Sequence, residues 1–506
     1  MRIAMIVPEV APFSKTGGLA DVAGSLPKAL VSMGAQVVVI SPCYRAVTES
    51  GRYVAFTEIE VPIKVGERVA MARFFRKKLS GVEFYFVGNR EFFDRDFLYG
   101  DSSGDYRDNC ERFVFFCRAA LEGLLQIDFA PDIVHCHDWQ SGLVPIYLRE
   151  LYCRCAGLDK ARTVFTVHNL GYQGRFPAGC FPILGLPWEY FTPEGLEFYG
   201  QVNFLKAGLR YSDLLTTVSP TYACEIQTPE LGFGLDGVLR ARRDSLVGIL
   251  NGLDTDVWDP RSDRELDCNY GPAEVEAAKG VNKRKLAGDL GLGEPDRPLL
   301  SLIARLSAQK GLELLSAVAD SLIQAGANVA VLGMGDEHYH SLLREVRDRH
   351  PGRFALVLRF DEKLAHRLYA ASDVFLIPSQ YEPCGLGQMI SFRYGTVPIA
   401  YRTGGLADTI VDVDQDPERG NGFLFGEYTP DALRDRVLRA LQLHKDKEAW
   451  SKLMQHGMAF DCSWRTSAAR YLEVFLRAAS QTELSQAGMV SSSTRRDRFV
   501  TNDQGG

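Results

Sequence analysis

The chain has 506 residues, of which 46% are apolar and 24% charged, with a net charge of −7. That length is too great for one core and predicts two or three domains of a globular protein. The acidic balance argues against a broad nucleic-acid surface, and no uncharged run reaches the ~18 apolar residues of a membrane span.

The N-terminal MRIAMIVPEV leads straight into a strand, and its apolar run is shorter than a signal peptide requires. IAMIVP (residues 3–8) and VVVISP (37–42) have the unbroken apolar character of buried parallel strands, with a crossover helix over 19–33 despite Pro27. Residues 53–87 are β-rich with hairpin character, and 106–126 form an amphipathic helix. Further strands are predicted at 132–137, 163–168, 214–219 and 246–250, which completes an N-terminal domain over 1–250. Residues 251–297 are richer in Asp, Gly, Pro and Asn and read as an interdomain connection. A second strand–helix series fills 298–460, with strands at 299–305, 328–333, 354–359, 373–378 and 397–400 and a helix at 311–325. A terminal helix is expected over 461–480, and the tail at 481–506 lacks an apolar face and reads as disordered. Strands alternating with helices predict an α/β protein of two doubly wound, Rossmann-like domains, with ligands beyond the carboxyl ends of the strands. Eleven cysteines, odd in number and without a CxxC pair, fit reduced thiols in a cytoplasmic protein.

One heptapeptide occurs twice: KTGGLAD at 15–21 and RTGGLAD at 402–408. Each copy follows a predicted strand and opens a helix. A Gly-Gly turn lets backbone approach a ligand, and a helix start offers free N–H groups to an anion. Lys15 or Arg402 adds a full charge. Either copy is also an ordinary strand-to-helix turn, but the pair predicts two domains facing one anionic ligand across a central cleft.

Other candidates sit at strand ends. In EPCGLGQ (382–388), Glu382 can accept hydrogen bonds from sugar hydroxyls, or it is simply an acid near a helix start. Arg305 and Lys310 in ARLSAQKG are cations where the helix dipole favours acids, which points to an anionic partner or to two solvated charges. His168 and Asp138 end strands, and Asn251 with Gly252 forms a turn signal; each has a plain structural reading as well. Adjacent strand residues point to opposite faces, so His135, Cys136, His137 and Asp138 cannot easily converge on one metal ion. Walker A, GxSxG and HExxH motifs are absent, as is GxGxxG after the first strand.

Taken together, KTGGLADV, HCHDWQSGL, TVHNLGYQG, GILNGLD, ARLSAQKG, PSQYEPCGLGQ and RTGGLADT resemble the bacterial glycogen synthase and plant starch synthase family, in order and across nearly the whole chain. The resemblance implies the GT-B fold, with SWRTSAARYLEVF forming a helix that crosses back onto the first domain. It implies transfer of glucose from a nucleotide sugar, ADP-glucose or UDP-glucose, to the end of an α-1,4-glucan such as glycogen. Cofactors, metals, nucleic acid and membranes are not expected. By resemblance, Lys15 with Gly18 and Asp21 meets the donor diphosphate from one side. Arg305 and Lys310 meet it from the other. Glu382 holds glucose hydroxyls, His168 lies near the 6-hydroxyl, Asp138 and Asn251 line the sugar side, and Cys384, Gly385, Leu386 and Gly387 form the loop over glucose and phosphate. Two positions depart from common patterns. Ile390 stands where many related transferases carry a second Glu, and Gly387 where the family often has Thr. Two alternatives remain at this stage: another retaining transferase with a small acceptor, and a non-catalytic nucleotide-sugar sensor.

Overall fold

The computed structural model describes the backbone of residues 1–52, 54–101 and 104–496, and their side chains as far as Ser480. It divides into two compact units. Among the described residues, the first holds 1–217, 225–249 and 464–496; the second holds 218–224 and 250–463.

The first unit is built on β1 (Arg2–Ile6), β2 (Gln36–Pro42), β3 (Ala55–Val65), β4 (Arg68–Leu79), β5 (Val82–Gly88), β6 (Ile133–His137), β7 (Arg162–Val167), β8 (Leu214–Thr217) and β9 (Leu246–Gly248). They form one sheet in the order β9-β8-β7-β6-β1-β2-β5-β4-β3. Pairing is parallel from β9 to β5 and antiparallel across β5-β4-β3, the stretch read as a hairpin region. Tyr53 lies outside the described residues. Every residue of β6 is buried, whereas β3 alternates exposed and covered positions over much of its length. That difference follows from two covered faces in the parallel part and one in the meander. Helix α1 (Gly18–Ser32) crosses from β1 to β2, and α2 (Asn109–Gln126) precedes β6. The register sets Ile6 opposite Cys136 and His137 opposite Thr166. Glu9, Asp138 and His168 therefore leave the sheet at one edge.

The second unit begins before its sheet. Helix α3 (Val275–Asp289) lies within the stretch expected to be a connection, and 251–297 belongs to this unit. The cause is two buried lysines. Lys279 Nζ donates to the carbonyls of Tyr369, Ala370 and Tyr394 and to Thr396 Oγ1. Lys283 pairs with Asp373 at 2.8 Å. Trp258 stacks on His366 at 4.0 Å, and His366 bonds Asp263 at 2.7 Å. The sheet comprises β10 (Leu299–Leu306), β11 (Asn328–Gly335), β12 (Phe354–Val357), β13 (Val374–Ile377), β14 (Val397–Tyr401) and β15 (Phe423–Phe425), all parallel, in the order β12-β11-β10-β13-β14-β15. Helices α4 (Leu312–Gln324), α5 (Gly387–Arg393) and α6 (Gly404–Thr409) each follow a strand end.

The terminal helix, α7 (Trp464–Arg496), returns to the first unit. It runs on through 481–496, part of the tail expected to be disordered; residues 497–506 lie outside the described residues. Tyr471 and Phe475 are fully buried and stand 5.4 and 5.2 Å from the His135 ring. Among the described residues no helix is long and apolar enough to cross a membrane. Phe475→Ala should remove about 3–5 kcal/mol from the stability of the first unit, read by denaturant unfolding. A loss below about 1 kcal/mol would contradict the docking of α7.

Candidate active site

In the first unit the KTGG segment is exposed, and Lys15 Nζ bonds Asp21 Oδ1 at 2.7 Å. Gly17 precedes α1 with no side-chain cap, and Gly18 is its first residue. A Cβ at Gly17 would meet nothing within 4 Å. The Gly17 N–H turns to the Glu9 carboxylate, and the helix start beyond it, without a side-chain cap and beside a cation, suits an anion. Glu9, unremarked in the sequence reading, sits beneath it. Its carboxylate, 3% exposed, accepts from Thr16 N–H and Oγ1, both at 2.7 Å.

Asp138 and His168 come together at the same edge. Asp138 Oδ1 accepts from His168 N–H at 2.7 Å, and the carboxylate also takes the Asn169 N–H. Asp138 sits at φ 54°, ψ −178°, a backbone region that suits glycine and costs about 1–3 kcal/mol for other residues. Burial raises its carboxyl to about 7, against the pull of the two N–H bonds. His168 Nε2 lies 3.0 Å from His137 Nδ1, and burial lowers His168 to about 3.

In the second unit Lys310 Nζ meets Glu382 Oε2 at 2.6 Å, with side chains only 19% and 14% exposed. Gln309 clamps the two segments, donating to the Tyr381 carbonyl at 2.9 Å and accepting from Gln380 N–H at 2.8 Å. Arg305 is exposed at the end of β10. The turn after Glu382 is held from behind. Gly405 N–H donates to the carbonyls of Glu382 and Pro383, Ser219 Oγ to Pro383, and Gln388 Nε2 to Cys384 and Gly385. In a trans peptide the carbonyl and the following N–H point opposite ways. The N–H groups of Cys384, Gly385 and Leu386 therefore face away from the protein donors, as an anion nest requires. The Cys384 thiol is itself buried and accepts from the Asn251 backbone; burial pushes it up to about 12. Cys384 can offer only its backbone to a ligand. Asn251 is buried, with Oδ1 unpartnered.

Two expectations are corrected. The second Gly-Gly copy is not an open anion site. A Cβ at Gly404 would stand 2.1 Å from the Glu382 oxygen, and one at Gly405 2.0 Å from the Cys384 oxygen. The pair is a packing device for the turn at 382, and Asp408 accepts from Thr221 N–H and Oγ1 instead of pairing with a leading cation. Gly387 does not simply lose a hydroxyl contact. A Cβ there would lie 2.7 Å from the Phe375 ring, so the room for threonine is filled. Among the described residues no three His, Cys, Asp or Glu side chains are grouped as a metal site requires.

Residues 2–241 match the Starch synthase catalytic domain family, and residues 291–455 match Glycosyl transferases group 1. The glycogen synthase of Koribacter versatilis is 48% identical, covering 94% of this chain and 98% of its own. That of Syntrophotalea carbinolica is 46% identical, covering 94% and 99%. The solved catalytic domain of Starch Synthase IV from Arabidopsis thaliana, bound to ADP and acarbose, is 36% identical with a TM-score of 0.88 over 94% of this chain and 99% of that one. The two Rossmann-like units are those of a GT-B glycosyltransferase. Within that class, the chain belongs to the glycogen synthase and starch synthase family.

Burial raises Glu9 to about 7, with the Asp21 charge adding and the Thr16 bonds opposing. A carboxyl that binds its proton more tightly when folded stabilises the fold below its unfolded value, near 4.5, and this contribution is lost as pH rises through about 7. Glu9→Gln keeps an oxygen for Thr16 but no charge. Its stability relative to wild type should rise more at pH 8 than at pH 5 in chemical denaturation. Equal shifts at both pH values would contradict a buried, proton-holding carboxyl.

Proposed function

We propose that this protein transfers glucose from ADP-glucose to the 4-hydroxyl at the non-reducing end of an α-1,4-glucan such as glycogen, with retention of configuration and without a metal ion. The observation that carries this reading is the turn at 382–386, with its carbonyls committed inward, its N–H groups turned outward and its carboxylate paired with Lys310. The ADP and acarbose bound to the Arabidopsis relative support adenine as the donor base and an α-glucan as acceptor. The free state of all eleven cysteines supports a cytoplasmic setting.

In this reading Lys15 and the α1 start are the phosphate-binding groups of the first unit, and Arg305 and Lys310 those of the second. Asp21 holds Lys15 in place. The N–H groups over 384–387 hold phosphate and glucose, Glu382 takes glucose hydroxyls, and Asp138, His168 and Asn251 line the sugar. The bond from the anomeric carbon to the phosphate oxygen breaks, and charge grows on that oxygen, where cations and N–H dipoles already stand. The acceptor oxygen attacks from the face the phosphate leaves and gives its proton to the departing oxygen, so no protein nucleophile is used. Glu382 supports the positive charge that develops on the sugar.

Lys15→Ala and Glu382→Gln should each fold normally and lower turnover on the order of 10²–10³-fold, measured as ADP release with glycogen present. Near-wild-type rates in both would reject these roles. In parallel assays ADP-glucose should outpace UDP-glucose; the reverse order would overturn the donor.

A further inference from the structure

His137 takes no part in the chemistry above, yet it is fully buried at the last position of β6 and aimed at His168. His135 and His137 lie two apart on a strand and so share a face. Their rings are 4.1 Å apart, and the His137 and His168 rings stack at 5.3 Å with a 24° tilt. His137 Nδ1 lies 3.0 Å from His168 Nε2. His168 is also held by its backbone, which donates to Asp138.

Burial lowers His137 well below the usual imidazole range, with His135 and His168 adding, and it lowers His168 to about 3. Both rings are therefore neutral near pH 7, and a short contact between two neutral imidazoles needs one hydrogen between the nitrogens. Two assignments exist. If His168 Nε2–H were the donor, the hydrogen of His137 would sit on Nε2, which is buried and has no partner. A buried N–H without an acceptor is the rarer kind of orphan. If His137 Nδ1–H is the donor, Nε2 is a bare acceptor and no N–H is stranded.

We infer that His137 is a positioning residue: its Nδ1–H donates to His168 Nε2 and holds His168 as the Nδ1–H tautomer, so that His168 presents a hydrogen-bond donor to a sugar oxygen. The functional part rests on His168 lining the donor sugar, as proposed above; the tautomer does not. The support extends outward. His135 Nε2 meets Thr166 Oγ1 at 2.6 Å, and Tyr471 and Phe475 of α7 pack on the His135 ring, so the terminal helix backs the imidazole row.

The test is long-range ¹H–¹⁵N correlation of the full chain labelled with ¹⁵N-histidine, with the His168 signals assigned from a His168→Gln sample. Wild type should carry the His168 hydrogen on Nδ1; a hydrogen on Nε2 overturns the inference, whatever the activity. His137→Leu removes the donor, while His137→Asn, nearly isosteric with it, restores an N–H near Nδ1. The Leu variant should populate the other His168 tautomer and lose about tenfold in kcat with little change in donor KM, and the Asn variant should recover both. A Leu variant with unchanged His168 signals and unchanged kcat overturns it as well. If the Leu variant does not fold, the wild-type and Asn spectra still decide. If wild type proves inactive with ADP-glucose, the function falls and the tautomer is still read.

Discussion

Four successive carbonyls, from Glu382 to Gly385, are drawn inward by Gly405, Ser219 and Gln388. This constraint fixes what the second unit can do. A flexible turn would reorganise as charge developed, and each donor would lose much of its value. Here the turn is held by the protein's own donors. Glu382 is held in turn by Lys310, in a pair sheltered enough that water screens it less than a surface ion pair. The ammonium has three hydrogens, so pairing with Glu382 leaves donors for a phosphate.

The repeated heptapeptide gains two meanings from its surroundings. At 15–21 the segment is exposed, a Cβ at Gly17 would meet nothing within 4 Å, and the helix behind it has fifteen residues. At 402–408 the same glycines are pressed against carbonyl oxygens and the helix has six. Sequence identity predicted equal roles because propensity and turn chemistry are alike. Burial separates them, and burial depends on the turn at 382, more than twenty residues away along the chain.

Much of the fold was legible because buried parallel strands read as unbroken apolar runs. The connection at 251–297 was misread because its polar residues look solvated. Lys279 and Lys283 on a helix normally face water, and their burial is explained by the carbonyls of 369, 370 and 394, the Thr396 hydroxyl and Asp373. Burial of Lys279 lowers its ammonium to about 7. Arg305 and Lys310 stood out because cations near a helix start conflict with the helix dipole, Lys15 because it leads a repeated Gly-Gly turn, and Glu382 because it precedes a Pro-Cys-Gly turn. Glu9, Gln388 and His137 were missed as functional because each acts through a neighbour. A Glu before Val-Ala-Pro, a Gln inside a helix and a His on a strand have no local oddity. For His137 the alternation rule held a usable signal: it set His135 and His137 on one face, which argues for stacking as well as against a metal.

The shared action of Lys310 and Glu382 is tested most directly by a double-mutant cycle in kcat/KM with ADP-glucose and glycogen, using Lys310→Met, Glu382→Gln and both together. If the pair works as one unit, the double variant should fall little further than the worse single one, with a coupling of at least about 1 kcal/mol. Losses that simply add, or single variants near the wild-type rate, would contradict it.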